Sequence, residues 1–151
     1  MHLTTSKRVN YVSFFVATVL ALLSNVVLAN EFVFEHIDIT VGDKQLNVEY
    51  ANTFELRAQG LQFRTELCPD CGMLFKFEKA RQASMWMKNT LIPLDVAFIN
   101  NDGEIVNIEA MEPLDLNSVL SKGPVRYALE MNQGWFAENG LNAGDRVMSL
   151  P

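Results

Sequence analysis

The sequence predicts a mostly β domain, an antiparallel sandwich or barrel of jelly-roll type with one or two short helices. Three observations carry this expectation. Strand-length apolar runs with two-residue alternation recur along most of the chain, turn residues separate them at short intervals, and only one stretch has convincing helical spacing. The chain is 151 residues long, 49% hydrophobic and 20% charged, a balance that fits a single core.

The first 29 residues follow other rules. Lys7 and Arg8 precede an apolar run from Val9 to Ala29, and no acid occurs before Glu31. That charge order predicts a secretory signal over 1–29, with Val27 and Ala29 suiting cleavage before Asn30 and an exported, periplasmic or secreted product. An uncleaved anchor is the competing expectation, because a run of this length approaches the roughly 30 Å thickness of the bilayer core. Ser13, Thr18, Ser24 and Asn25 dilute the run, and no basic stop-transfer cluster follows it. Cleavage would remove two bases and no acid, leaving residues 30–151 as one β-rich domain with 10 bases against 18 acids. A domain of that size buries about two thirds of the surface of its unfolded chain, so no disulfide framework is needed for folding.

Within the domain, Phe32, Phe34 and His36 alternate with Val33, Glu35 and Ile37, and a second run carries Leu46, Val48 and Tyr50. Val41-Gly42-Asp43-Lys44 between them has turn chemistry, which predicts an antiparallel hairpin. Asn52 and Thr53 offer an N-cap to Phe54–Gln59, where Phe54, Ala58 and Leu61 share a helical face and Gly60 or Arg64 ends the helix. Beyond the Cys68-Pro69-Asp70-Cys71-Gly72 turn, strands are expected at Met73–Phe77, Ala83–Met87, Leu94–Ile99, Glu104–Ala110, Val125–Met131 and Arg146–Leu150. Asn100-Asn101-Asp102-Gly103 forms a hairpin turn, since these residues tolerate positive φ. A second short helix fits between Gly134 and Gly144.

The run Trp86-Met87-Lys88-Asn89-Thr90-Leu91-Ile92-Pro93-Leu94-Asp95-Val96-Ala97-Phe98-Ile99 resembles the family catalogued as domain of unknown function 192. Shorter blocks agree in order and spacing: Gly60-Leu61-Gln62-Phe63-Arg64, Gly72-Met73-Leu74-Phe75, Gly103-Glu104-Ile105-Val106, Tyr127-Ala128-Leu129-Glu130-Met131 and Gly144-Asp145-Arg146-Val147. Together they span nearly all of residues 45 to 150. The resemblance implies a compact, mostly β domain, often exported in bacteria, with no established activity or cofactor. Gln62 stands where that family commonly has methionine, and the cysteine pair is outside its shared pattern.

Cys68 and Cys71 are spaced as C-x-x-C in a chain expected to enter an oxidising compartment, which predicts a local disulfide. The alternative is a redox-active pair, but such thiols usually open a helix in a βαβ unit, and here a strand follows. Zinc would need two further ligands, and His36 is the only histidine downstream of the signal. Met85 and Met87 on one strand face, with Met73, Met111, Met131 and Met148, raise Cu(I) binding as a possibility; methionine in apolar runs is more simply a filler of core gaps. No cofactor is expected.

A polar candidate site lies in the segment that leaves Trp86. Lys88, Asn89, Thr90 and Asp95 bring a cation, an amide, a hydroxyl and a carboxylate close together in sequence. With Arg64 and Glu130 they would line a cleft that orients a ligand beside Trp86. Local turn chemistry accounts for the same residues otherwise, with Asp95 pairing Lys88 or capping a backbone amide.

A net charge of −6 and a pI near 4.8 exclude a general nucleic-acid binder. The chain lacks the G-x-S-x-G, P-loop, H-E-x-x-H and dinucleotide-binding signatures, and serine-based acyl transfer lacks a plausible base, since His36 is the only histidine downstream of the signal. The sequence therefore predicts an accessory module of the bacterial envelope that binds an unidentified small ligand or envelope protein. A thiol oxidoreductase using Cys68 and Cys71 is the alternative.

Overall fold

The computed structural model describes residues 32–151, so the export signal expected over 1–29 lies outside the described residues. The predicted hairpin forms between β1 (Glu35–Val41) and β2 (Lys44–Ala51), in register from Val41 opposite Lys44 to Glu35 opposite Tyr50. Gly42 takes φ 61° at the turn. Alternation then assigns Ile39 and Val41 to the same buried face as Leu46, Val48 and Tyr50.

Helix α1 (Phe54–Gln59) begins where Thr53 Oγ1 accepts the Leu56 amide at 3.2 Å, and it ends at Gly60, whose N–H donates to the Leu56 carbonyl at 2.9 Å. No residue of α1 is buried, although Leu56 packs partly against the core. On the face of Phe54, Ala58 and Leu61, Leu61 is buried in the core, while Phe54 and Ala58 are exposed and border an open cleft.

After α1 the chain crosses back to enter β3 (Gly72–Met85) parallel to β2, with Glu49 opposite Met73 and Ala51 opposite Phe75. This is the one parallel pairing in the sheet, and the crossover over 52–71 permits it, because a tight turn can join only antiparallel neighbours. β3 also unites the two strands expected at Met73–Phe77 and Ala83–Met87. Register shifts between Lys76 and Arg81 and between Gln82 and Ser84 interrupt the pairing without ending the strand.

β4 (Leu94–Ile99) and β5 (Ile105–Met111) form a second hairpin, in which Asn100 Oδ1 accepts the amides of Asp102 and Glu104 at 2.9 and 3.0 Å. β6 (Val119–Asn132) starts six residues before the expected Val125 and pairs antiparallel with both β3 and β4. A one-turn helix α2 (Trp135–Glu138) and the two-residue β7 (Val147–Met148) complete the domain. β7 is shorter than the strand expected at Arg146–Leu150: Arg146 before it makes a lone bridge to Glu104, and its carbonyl accepts the Gly42 amide at 3.1 Å.

The strand order is β5-β4-β6-β3-β2-β1-β7. The sheet curls into a half-barrel, and its two ends touch through the bridge between Glu104 and Arg146. Central strands β3, β4 and β6 carry apolar residues on both faces, so two cores form. One, inside the curl, gathers Leu74, Ile99, Leu129 and Phe136; the other, on the outer face, gathers Phe75, Phe77, Phe98 and Ala128. Each fully buried side chain of this size contributes about 1.5–3 kcal/mol. The methionines divide between the cores, with Met131 inside and Met73, Met87 and Met111 outside, as suits residues that fill core gaps.

Candidate functional site

The outer core is incompletely covered. α1 and the segment after it stand over the outer face of β3 and leave a cleft of about 430 Å³, in the range of small-molecule sites. Phe54, Ala58 and Leu61 form one wall and Phe75 and Phe77 of β3 the other, with Met85, Trp86, Lys88 and Thr90 closing one end.

Glu130 lies on the floor. Strand alternation in β6 turns Leu129 and Met131 into the inner core and Ala128 and Glu130 to the outer face, where Glu130 sits between Met73 of β3 and Val96 of β4. The residue is 4% exposed, borders the cleft, and has no side-chain hydrogen bond or ion pair among the described residues. Burial pushes its carboxyl up to about 8, so the acid is largely protonated at neutral pH and presents both a donor and an acceptor. Thr90, also buried, donates from Oγ1 to the Lys88 carbonyl at 3.4 Å and keeps its lone pairs free at the same cleft.

Around the mouth the charge is positive. Lys79, Arg81 and Lys88 are exposed and border the cleft without a carboxylate partner among the described residues. The Arg81 guanidinium lies 4.8 Å from the Phe77 ring centroid, and the Lys88 ammonium lies 5.6 Å from that of Trp86, which is itself 53% exposed. Arg57 is held more firmly, donating to the carbonyls of Asn52 and Lys76 at 2.9 Å each and reaching Glu78 at 3.7 Å.

Of the residues singled out in the sequence, Trp86, Lys88, Thr90 and Glu130 come together at this cleft. Asn89 supports it from outside: at φ 55° it donates from its amide group to Gln62 Oε1 at 3.1 Å, and its carbonyl accepts the Phe63 amide at 2.8 Å. Arg64 turns away to make a two-pronged ion pair with Glu49 on β2, at 2.6 and 2.5 Å, beneath the Phe34 ring. Asp95 does not pair with Lys88; its Oδ2 accepts the Gly134 amide at 2.8 Å, ahead of α2. Burial raises the Asp95 carboxyl, and that amide partly offsets the effect. The cationic residues of β3, Lys79 and Arg81, were missed because they lie where the strand's alternation breaks at its bulge.

This geometry separates two roles. Lys88→Ala should change stability by no more than about 0.5 kcal/mol, as for an exposed side chain. Asp95→Ala leaves the Gly134 amide without its acceptor and should cost about 1–2 kcal/mol. Urea unfolding of both single variants and the double variant should give additive losses; coupling above about 1 kcal/mol would contradict the separation.

Cys68 and Cys71 are joined in a disulfide. Their loop is tied to the ends of β6 and α2, with Asn132 Nδ2 donating to the Cys68 carbonyl at 2.9 Å and Trp135 Nε1 donating to Asp70 at 2.9 Å. Neither cysteine borders the cleft, and β3 follows directly, so no helix N-terminus is present to lower a thiol pKa. Replacing both by serine should lower stability by about 2 kcal/mol, since the closed loop is short, while the β-sheet circular dichroism spectrum persists. Among the described residues no three of His, Cys, Asp and Glu cluster as a metal site, and no helix is long and apolar enough to cross a membrane.

The family model for domain of unknown function 192, described as "Uncharacterized ACR", matches residues 37–149. A crystal structure from Sinorhizobium meliloti 1021, of a protein provisionally named a transcription regulator, is 38% identical with a TM-score of 0.72, covering 78% of this chain and 95% of that one. A protein of unknown function from Novosphingobium aromaticivorans DSM 12444 is 35% identical with a TM-score of 0.72, covering 76% of this chain and 85% of its own. No curated protein matches the chain.

Proposed function

For a chain that belongs to the domain of unknown function 192 family, we propose a role as an exported accessory module that binds a small ligand in the cleft between α1 and β3. One observation carries the reading: Glu130 is a buried carboxyl with no hydrogen-bond or ionic partner among the described residues, bordering a cleft large enough for a ligand. Among the described residues no side-chain polar atom is cut off from both a partner and solvent, so the Glu130 carboxyl meets solvent through the cleft, and a ligand that hydrogen-bonds to it would take the place of water there. The walls support the same reading, because Phe54 and Ala58 are apolar, exposed and border the cleft beside buried Leu61. Export rests on the charge and apolarity of residues 1–29, and mass spectrometry of envelope-purified protein should find Asn30 at the N-terminus.

The regulator name of the Sinorhizobium meliloti protein is not carried over as DNA binding, because acids outnumber bases 18 to 12 here and the cationic rim of the cleft is small. The test is a fragment screen by two-dimensional amide NMR on residues 30–151. Bound fragments should shift Leu61, Thr90 and Trp86, and Glu130→Leu should weaken the binding of those that hydrogen-bond to its carboxyl while leaving the rest of the spectrum intact. Fragments that bind only outside the cleft would refute the proposal.

A further inference from the structure

We infer that the cleft selects a small amphipathic anion, with its charged group held at the mouth by Lys79, Arg81 and Lys88 and a neutral hydroxyl or carbonyl at its far end bonded to Glu130. The inference rests on the cleft reading above and adds the polarity and orientation of the ligand.

The lining divides into exposed cations and buried apolar and polar groups. At the mouth are three exposed cations free of carboxylate partners among the described residues, in a domain whose acids greatly outnumber its bases. They attract an anion and repel an amine that would otherwise pair with Glu130. Buried Leu61, Phe75 and Phe77 line the same cleft, and they favour an apolar body on the ligand. On the floor the Glu130 carboxyl and the Thr90 hydroxyl meet the ligand's inner end. An anion there would be desolvated with no cation beside it, and an apolar end would leave both groups unpaired. Glu130 is kept neutral by burial, so it can donate to a carbonyl or exchange hydrogen bonds with a hydroxyl.

Four matched compounds test the assignment by calorimetry and amide NMR. These are 3-(4-hydroxyphenyl)propionate, which has all three features; 3-phenylpropionate, without the inner hydroxyl; 4-ethylphenol, without the anion; and tyramine, with a cation in its place. The first should bind in the cleft, shift Leu61, Thr90 and Trp86, and lose affinity on Lys88→Ala and with rising salt. Loss of the hydroxyl should weaken binding by about tenfold, and tyramine should be the weakest of the four. Glu130→Leu should remove the difference between the two propionates while retaining salt sensitivity.

Tyramine or 4-ethylphenol binding in the cleft at least as tightly as 3-(4-hydroxyphenyl)propionate would overturn the anion assignment and leave the cleft reading standing. Equal affinity of the two propionates would overturn the role of Glu130. Binding of the propionates with no shift in the cleft would overturn both the assignment and the cleft reading. If none of the four shifts a cleft residue at millimolar concentration, the amphipathic-anion class is rejected, and the fragment screen decides the cleft reading by itself.

Discussion

Glu130→Gln is expected to stabilise the domain by about 3 kcal/mol at pH 7 and to leave it unchanged at pH 4. The cause is the gap between a carboxyl near 4.5 in the unfolded chain and about 8 in the folded one. Below 4.5 both states hold the proton, and the native state bears no ionic penalty. As pH rises through the interval, the unfolded chain releases the proton while the folded protein retains it, so unfolding becomes progressively easier until the folded carboxyl ionises near 8. Across the whole window the loss is about 5 kcal/mol. Glutamine has a similar shape and does not titrate, so the variant lacks this pH dependence. Urea unfolding of both proteins at pH 4, 6 and 7 should show a gap that widens with pH. A constant gap would mean that Glu130 is already ionised in the folded state.

Gly103→Ala should cost about 3 kcal/mol, by adding steric overlap to an unfavourable backbone angle. Gly103 has φ 83°, and a Cβ there would come within 2.4 Å of the Val147 carbonyl oxygen. That oxygen belongs to the seam where β7 meets the turn before β5, and the Gly103 carbonyl itself accepts the Val147 amide at 2.8 Å. The side chain can be accommodated only by separating the two ends of the curled sheet. Gly140→Ala is the control, because Gly140 also has positive φ, at 69°, but nothing lies within 4 Å of the added carbon. It should lose about 1 kcal/mol, the conformational part alone. Equal losses in the two variants by thermal unfolding would show that the seam yields without resistance.

Most strands were legible because alternation and turn chemistry are local properties. The β1–β2 hairpin, α1, β4 and the Asn100–Gly103 turn lie where Gly42, Thr53, the Leu94–Ile99 run and Gly103 put them. Partnership was not legible. Two-residue periodicity says which side chains share a face and nothing about which strand lies alongside, so the parallel β2–β3 pairing left no mark. Arg64 illustrates the effect on the site: its partner Glu49 is 15 positions earlier and comes within reach only because β3 returns beside β2. Glu130 could be picked out because a carboxylate inside Tyr127–Met131 contradicts its apolar surroundings. Lys79 and Arg81 could not, since exposed cations at a bulge look like ordinary solvated surface.

The pairing of β1 with β7 sets the order in which the domain can be assembled. Thr40 meets Met148 and Val41 meets Val147, so the outer edge of the first hairpin waits for residues more than a hundred positions downstream. The parallel β2–β3 contact likewise requires the whole crossover before any pairing can form. Both are contacts of high sequence separation, which raise contact order and slow folding relative to a chain of successive hairpins. A chain that lacks residues 147–151 can form the β1–β2 and β4–β5 hairpins but cannot close the seam. The edge of β1 then stays open for pairing with a second chain, and aggregation of variants truncated before Val147 is the expected failure of this fold.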